Sequence, residues 1–243
     1  LRHVSIFLAI FLVVSAIVAC GAETVAPGPT LTITLEPTLS AFNWSHTAYG
    51  FFPNPSEATL ESVLDTFDAL GKHADVILSQ PNVPWEEFIE SVDGESQART
   101  DLRNQVALAR RQGLDWIFVV DPLNGLNRRE FMGLPQGWEA SFANPDIRSA
   151  ITNFALWIVR EFKPSYLGLA SEINTYLDAH PNDVDHYMSL YAQVYDLIKL
   201  EAPEIQIFVT FQWDDLRNMF APAAEGRPAY QTNWEQVEAF EPR

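Results

Sequence analysis

Glu172 is the residue of this chain best placed to do chemistry. It follows the apolar run 166–170 (Tyr-Leu-Gly-Leu-Ala) after a single Ser171, with Asn174 and Tyr176 just behind it. A short, continuous apolar run reads as a strand buried on both faces. A carboxyl just past such a strand stands where a β/α fold presents reacting groups. Set among Trp and Tyr, it is suited to hold a proton and act as a general acid. The plainer alternative is a loop glutamate that caps a neighbouring backbone amide.

Other strand-like segments end in similar company. Segments 41–44 and 49–52 carry Asn43, Trp44, His46 and Tyr49, and 74–79 runs into Gln80, Asn82 and Trp85. Asp121 and Asn124 follow 115–120, and Gln212, Trp213, Asp214 and Asp215 follow 205–210. Aromatic faces stack on the C–H faces of pyranose rings, while carboxylates and amides bind hydroxyls. Any one of these aromatics could equally plug the mouth of the fold. Their recurrence at successive strand ends points to a saccharide site, with Ser171, Asn174, Trp213, Trp85, Asn43 and Tyr49 as candidate contacts.

Other chemistries find less support. His46, His73, His180 and His186 form no i, i+4 pair with a Glu between them, so no metal site is expected. No Gly-rich loop follows the first strand and no Gly-x-Ser-x-Gly elbow occurs, which leaves neither a nucleotide cofactor nor a serine hydrolase in view. No cofactor is expected. With 32 acidic against 15 basic residues and a net charge of −17, the chain lacks the clustered cations that a nucleic acid requires. A single Cys excludes an internal disulfide.

The elements that must position Glu172 alternate between strand and helix. Helices are expected at 56–70 (Ser56 as N-cap, Gly71 as stop), 96–112 (Leu102, Val106 and Ala109 inward, Gly113 as stop) and 144–162, where Asn144-Pro145 marks an N-cap and first turn. A further helix at 183–200 carries Met188, Tyr191, Val194, Tyr195 and Ile198 on one face, and another begins at 233–240. Strand, helix, strand in alternation implies a parallel sheet, either an open doubly wound one or a closed barrel. Strand starts recur roughly every 40 residues, which suits a barrel with long loops after its strands. Eight such units would need roughly 330 residues. The expected fold is therefore α/β, an incomplete (β/α)8 TIM barrel with about five of eight units, spanning 39–243.

The first residues read differently. Arg2 precedes the apolar run 4–19, which is short for a membrane span and suits a signal-peptide core. It ends at Ala19-Cys20-Gly21, which resembles the bacterial lipoprotein cleavage box, so lipidation at Cys20 is expected. An uncleaved anchor is the alternative. Residues 20–38, rich in Pro, Gly and Thr, read as a tether. The expected location is the cell envelope, at a membrane surface.

The segment 166–176 (YLGLASEINTY) resembles the fourth-strand motif of the clan A glycoside hydrolases, and within the clan the chain looks most like the arabinogalactan endo-β-1,4-galactanases and their uncharacterised relatives. The resemblance covers roughly residues 40–243 in the order of elements, with only the fourth-strand motif specific. It implies that Glu172 is the acid/base of a retaining mechanism and that Trp213 touches sugar. Two departures stand out. Ser171 occupies the position where the clan has an Asn for the sugar 2-hydroxyl. The clan's nucleophile lies on the seventh strand, so it is expected outside this chain. A non-catalytic surface glycan-binding lipoprotein on the same barrel is the second reading, and an adhesive envelope protein with an open sheet is the third.

Overall fold

The computed structural model describes residues 47–90, 93–217 and 237–240. All of them belong to the second of the chain's two units, Leu39–Arg243. The expected leader, the tether, Cys20, Asn43, the segment 41–44 and the start of a helix at Asn233 lie outside the described residues.

In chain order the elements are β1 (Gly50–Phe51), α1 (Leu60–His73), β2 (Val76–Ser79), α2 (Gln97–Arg111), β3 (Asp115–Val119), β4 (Leu123–Asn124), β5 (Asn127–Phe131), α3 (Pro145–Phe162), β6 (Tyr166–Gly168), α4 (Ile173–Ala179), α5 (Val184–Glu201), β7 (Gln206–Phe208) and α6 (Trp213–Leu216). Five strands pair in parallel in the order β1-β2-β3-β6-β7, and β4 and β5 form a separate antiparallel hairpin. Sequence order and spatial order coincide across the sheet. A doubly wound sheet reverses its order at a switch point, whereas a barrel wall does not. The fold is thus the incomplete barrel, with β6 as its fourth strand.

The two faces of the sheet differ as the strand period dictates. Ile77 pairs with Trp116 and Phe118 with Leu167, and all four join the core beneath the helices. Leu78, Ile117, Tyr166, Gln206 and Phe208 take the other face, where Ile117, Tyr166, Gln206 and Phe208 line a cavity of about 520 Å³. Gly168 is required on that face. A Cβ there would come within 3.0 Å of Val119 Cγ2 and 3.1 Å of the Phe208 ring.

The helices are stopped and started by local chemistry. Asn144 Oδ1 accepts from the Asp146 amide ahead of Pro145, and Ser96 Oγ accepts from the Arg99 amide. Gly113 ends α2 with φ of 73°, a conformation open to glycine. Leu102, Val106 and Ala109 of α2, and Ile147, Ile151, Phe154, Ile158 and Val159 of α3, are all buried. α3 is buried on most of its circumference, because α5 and the turn Trp85–Glu87 pack against it from outside the sheet.

Three local expectations are corrected. The N-cap of α1 is Thr59, which accepts from the Ser62 amide, and not Ser56, whose hydroxyl pairs with that of Ser62. Gly71 lies inside α1, since the helix runs on to His73. A Cβ at Gly71 would sit 2.8 Å from the Gln112 side chain, so its smallness serves helix packing and not termination. The buried face of α5 is Tyr187, Leu190, Val194 and Ile198; Val194 and Ile198 are as expected, while Met188 and Tyr191 pack against the core only in part and Tyr187 and Leu190 take the buried positions beside them. The run 187–195 is apolar nearly all round, so its pattern alone does not set the rotation.

Candidate functional site at the strand mouth

Three strand ends converge on Glu172. It occupies the N-cap position of α4 in the left-handed conformation, with φ of 52° and ψ of 42°. A side chain there costs about 1–2 kcal/mol and persists only where its surroundings dictate it. Those surroundings are the end of β7. The Glu172 amide donates to Thr210 Oγ1 at 2.9 Å and the Ile173 amide to the Thr210 carbonyl at 3.1 Å. Thr210 Oγ1 in turn donates to Ser171 Oγ at 3.3 Å, and Ser171 is buried.

The carboxylate of Glu172 meets a guanidinium. Arg128 Nε donates to Glu172 Oε2 at 3.0 Å, and Arg128 Nη1 donates to Asp121 Oδ2 at 2.5 Å. Asp121 is only 2% exposed, and it also accepts from Gln80 Nε2 at 2.6 Å and from the Leu123 amide at 3.2 Å. The side chain of Glu172 remains 37% exposed and that of Arg128 14%. Arg128 is thus fixed at its buried end and presented to the carboxylate at its open end.

Arg128 was not foreseen, and neither was the hairpin β4–β5 that carries it. The signal was present in Asn124-Gly125, a hairpin dipeptide, and Asn124 Oδ1 does accept from the Leu126 amide in a side-chain turn. The hairpin is seated from both sides. Trp85 Nε1 donates to the Met132 carbonyl at 2.7 Å, and the Tyr176 ring packs edge-on to Phe131 with centroids 5.3 Å apart. The His180 ring Nε2 pairs with the Arg129 carbonyl at 2.8 Å.

The expected contacts divide accordingly. Ser171 and Asn174 flank Glu172 at the end of β6, and Trp213 follows the end of β7. Trp213 is 53% exposed on α6, with the Arg217 guanidinium 5.7 Å from its ring. Asn174 is fully buried and spends both ends of its amide on Gln212, donating to its carbonyl at 3.1 Å and accepting from its amide at 2.8 Å. Trp85 is buried as well, held under the hairpin and not at a surface. Tyr49 is at the other end of the sheet. It precedes β1, and its amide donates to Asp75 Oδ2 just ahead of β2, so it stands at the strand starts. Tyr49 was expected among the strand-end contacts and stands at the strand starts instead, because β1 is Gly50–Phe51 and the mouth begins after Phe51.

Below the mouth, Asp183 closes a buried cluster. It accepts from Ser141 Oγ, the Phe142 amide and the Tyr176 hydroxyl at 2.7, 2.8 and 2.7 Å. Burial, and then the bond to Asp183, push the Tyr176 phenol well above its usual range. Among the described residues no group of three or more His, Cys, Asp or Glu is placed to hold a metal ion.

Two solved structures resemble the chain in fold. A GH5_18 from Bifidobacterium longum subsp. infantis matches with a TM-score of 0.50 at 18% identity, over 71% of this chain and 45% of that one. A GH5_18 variant from Streptomyces cattleya, solved with Manb1-4GlcNAc, matches with a TM-score of 0.50 at 16% identity, over 70% of this chain and 45% of that one. The chain spans less than half the length of either. No family model and no curated protein matches it. The class that the topology and these structures define is the TIM barrel, seen here through five of its strands.

Proposed function

We propose that the chain carries the acid/base half of a retaining glycoside hydrolase site, with Glu172 protonating the leaving glycosidic oxygen. The observation that carries this reading is Glu172 itself: a strained carboxyl, 37% exposed, just past the fourth parallel strand, with Trp213 exposed past the end of the fifth. Strained non-glycine residues of this kind concentrate at active sites. A retaining mechanism needs a second carboxyl about 5–5.5 Å from the first. Asp121 already accepts from Gln80, Arg128 and the Leu123 amide, and Asp215 is engaged by the Thr175 hydroxyl, so neither is proposed as that carboxyl; the clan resemblance implies a nucleophile on the seventh barrel strand. A polysaccharide or oligosaccharide of β-1,4-linked hexose is the proposed substrate. The resemblance to galactanases and the Manb1-4GlcNAc bound by one structural neighbour support that class.

Hydrolysis of β-1,4-galactan and β-1,4-mannan by the full-length protein, compared with its Glu172→Gln variant, tests the reading. Loss of general acid catalysis is expected to lower turnover about 100-fold or more. Unchanged hydrolysis in the variant removes Glu172 from the mechanism.

A second reading, glycan binding without turnover, is favoured by the ion pair between Arg128 and Glu172 and by Ser171 in place of the clan's Asn. Saccharide binding with no product in the same assay would select it. Export and lipid anchoring at Cys20 are proposed from residues 4–21 alone. Cys20→Ser is expected to move the protein from the membrane fraction to the soluble one, and retention in the membrane fraction would refute the anchor.

A further inference from the structure

We infer that Arg128 is a saccharide-contacting residue, and that the Arg128–Glu172 pair binds two adjacent hydroxyls of a neutral sugar as one donor–acceptor unit. This rests on the second reading, glycan binding at this site with Glu172 as a carboxylate, and deepens it. Arg128 uses Nε on Glu172 and Nη1 on Asp121, which leaves the Nη2 donors without a partner among the described residues. Glu172 uses Oε2 on Arg128 and leaves Oε1 as an open acceptor. Both side chains keep solvent access at the mouth, at 14% and 37%. A vicinal diol answers such a pair, one hydroxyl accepting from Nη2 and its neighbour donating to Oε1.

The pair is held in advance of any ligand. Asp121, itself held by Gln80, fixes the guanidinium, and the left-handed backbone of Glu172, tied to Thr210, fixes the carboxylate. Little side-chain freedom remains to be lost on binding, which favours affinity. Charge decides the class of sugar. Asp121, Arg128 and Glu172 together carry one net negative charge, so a uronate is repelled where a neutral hexose is not.

Calorimetric titration of the chain with β-1,4-mannosyl and β-1,4-galactosyl oligosaccharides, beside a uronate oligosaccharide of equal length, tests the inference. Arg128→Lys is the informative variant. An ammonium can keep Asp121 paired but cannot fork to both carboxylates. It is expected to weaken neutral-sugar affinity about tenfold or more. In the unaltered chain the 15N signals of the Arg128 guanidinium are expected to shift on saturation with the same sugar. That spectrum decides the matter alone should the variant not fold. Guanidinium signals that stay still at saturation, or Arg128→Lys affinity within twofold of the unaltered chain, overturn the inference. If binding survives Arg128→Lys and is lost in Trp213→Ala, this inference falls and the saccharide site stands. An unaltered chain that binds no neutral sugar overturns both.

Discussion

Arg128→Met separates the two ends of the carboxylate–guanidinium–carboxylate chain. At one end Asp121, 2% exposed, loses a bond of 2.5 Å and keeps only Gln80 and the Leu123 amide. Breaking a buried pair by removing one partner costs about 3–5 kcal/mol. The two surviving donors place Asp121 at the lower end, about 3 kcal/mol. At the other end Glu172 is 37% exposed and bonded at 3.0 Å, so its share is below about 1 kcal/mol. Urea unfolding of Arg128→Met, Asp121→Asn, Glu172→Gln and the two double variants yields both coupling energies. The Asp121–Arg128 coupling is expected at about 2 kcal/mol and the Arg128–Glu172 coupling below about 1 kcal/mol. Asp121→Asn combined with Arg128→Met is expected to recover most of the loss, since no buried charge is then unpaired. Equal couplings, or an Arg128→Met cost below about 1 kcal/mol, would refute the anchoring of Arg128 from its buried end.

Three further outcomes follow from the same geometry. Glu172→Gly is expected to be more stable than Glu172→Ala by about 1 kcal/mol in urea melts, because only glycine takes the left-handed conformation without strain; the reverse order would mean that the backbone is relaxed. Thr152→Val is expected to raise stability by about 1 kcal/mol, since the buried Thr152 hydroxyl has no partner among the described residues; a lower melting temperature would mean that the hydroxyl is satisfied. Tyr176 has a folded phenol pKa above the usual 10.0, so its contribution is complete below that value and is lost as pH rises through it, when the unfolded chain ionises first. Tyr176→Phe is expected to flatten the fall of melting temperature above about pH 10, and an unchanged slope would locate the alkaline loss elsewhere, with Tyr187 next in line.

The barrel was legible wherever one short segment decides its own state. The run 166–170 is too apolar to be anything but buried, and Asn144-Pro145, Ser96 and Gly113 each act within a single turn. Glu172 could be placed past the fourth strand on that basis. What stayed hidden depends on partners far along the chain. β5 reads Asn-Arg-Arg-Glu-Phe, a polar stretch whose strand state comes from β4 and whose seat comes from Trp85 and Tyr176. Arg128 therefore carried no sign of its ties to Asp121 and Glu172. Asn174 looked like a sugar ligand because it stands two residues past Glu172, where it could make up for Ser171, but its amide is drawn down by Gln212, 38 residues on. Tyr49 was assigned to the mouth because it follows the apolar segment 41–44, and the Asp75 bond that sets it at the strand starts is not local.

The central claim is that saccharides bind where β3, β6 and β7 end, around Glu172. Backbone amide chemical shifts of the chain, followed during titration with β-1,4-mannosyl and β-1,4-galactosyl oligosaccharides, test it directly. Saturable shifts are expected at Arg128, Glu172, Ile173 and Trp213, with Tyr49 and Asp75 unmoved at the opposite end of the sheet. Shifts centred on Tyr49 and Asp75, or none anywhere at millimolar sugar, would contradict the account.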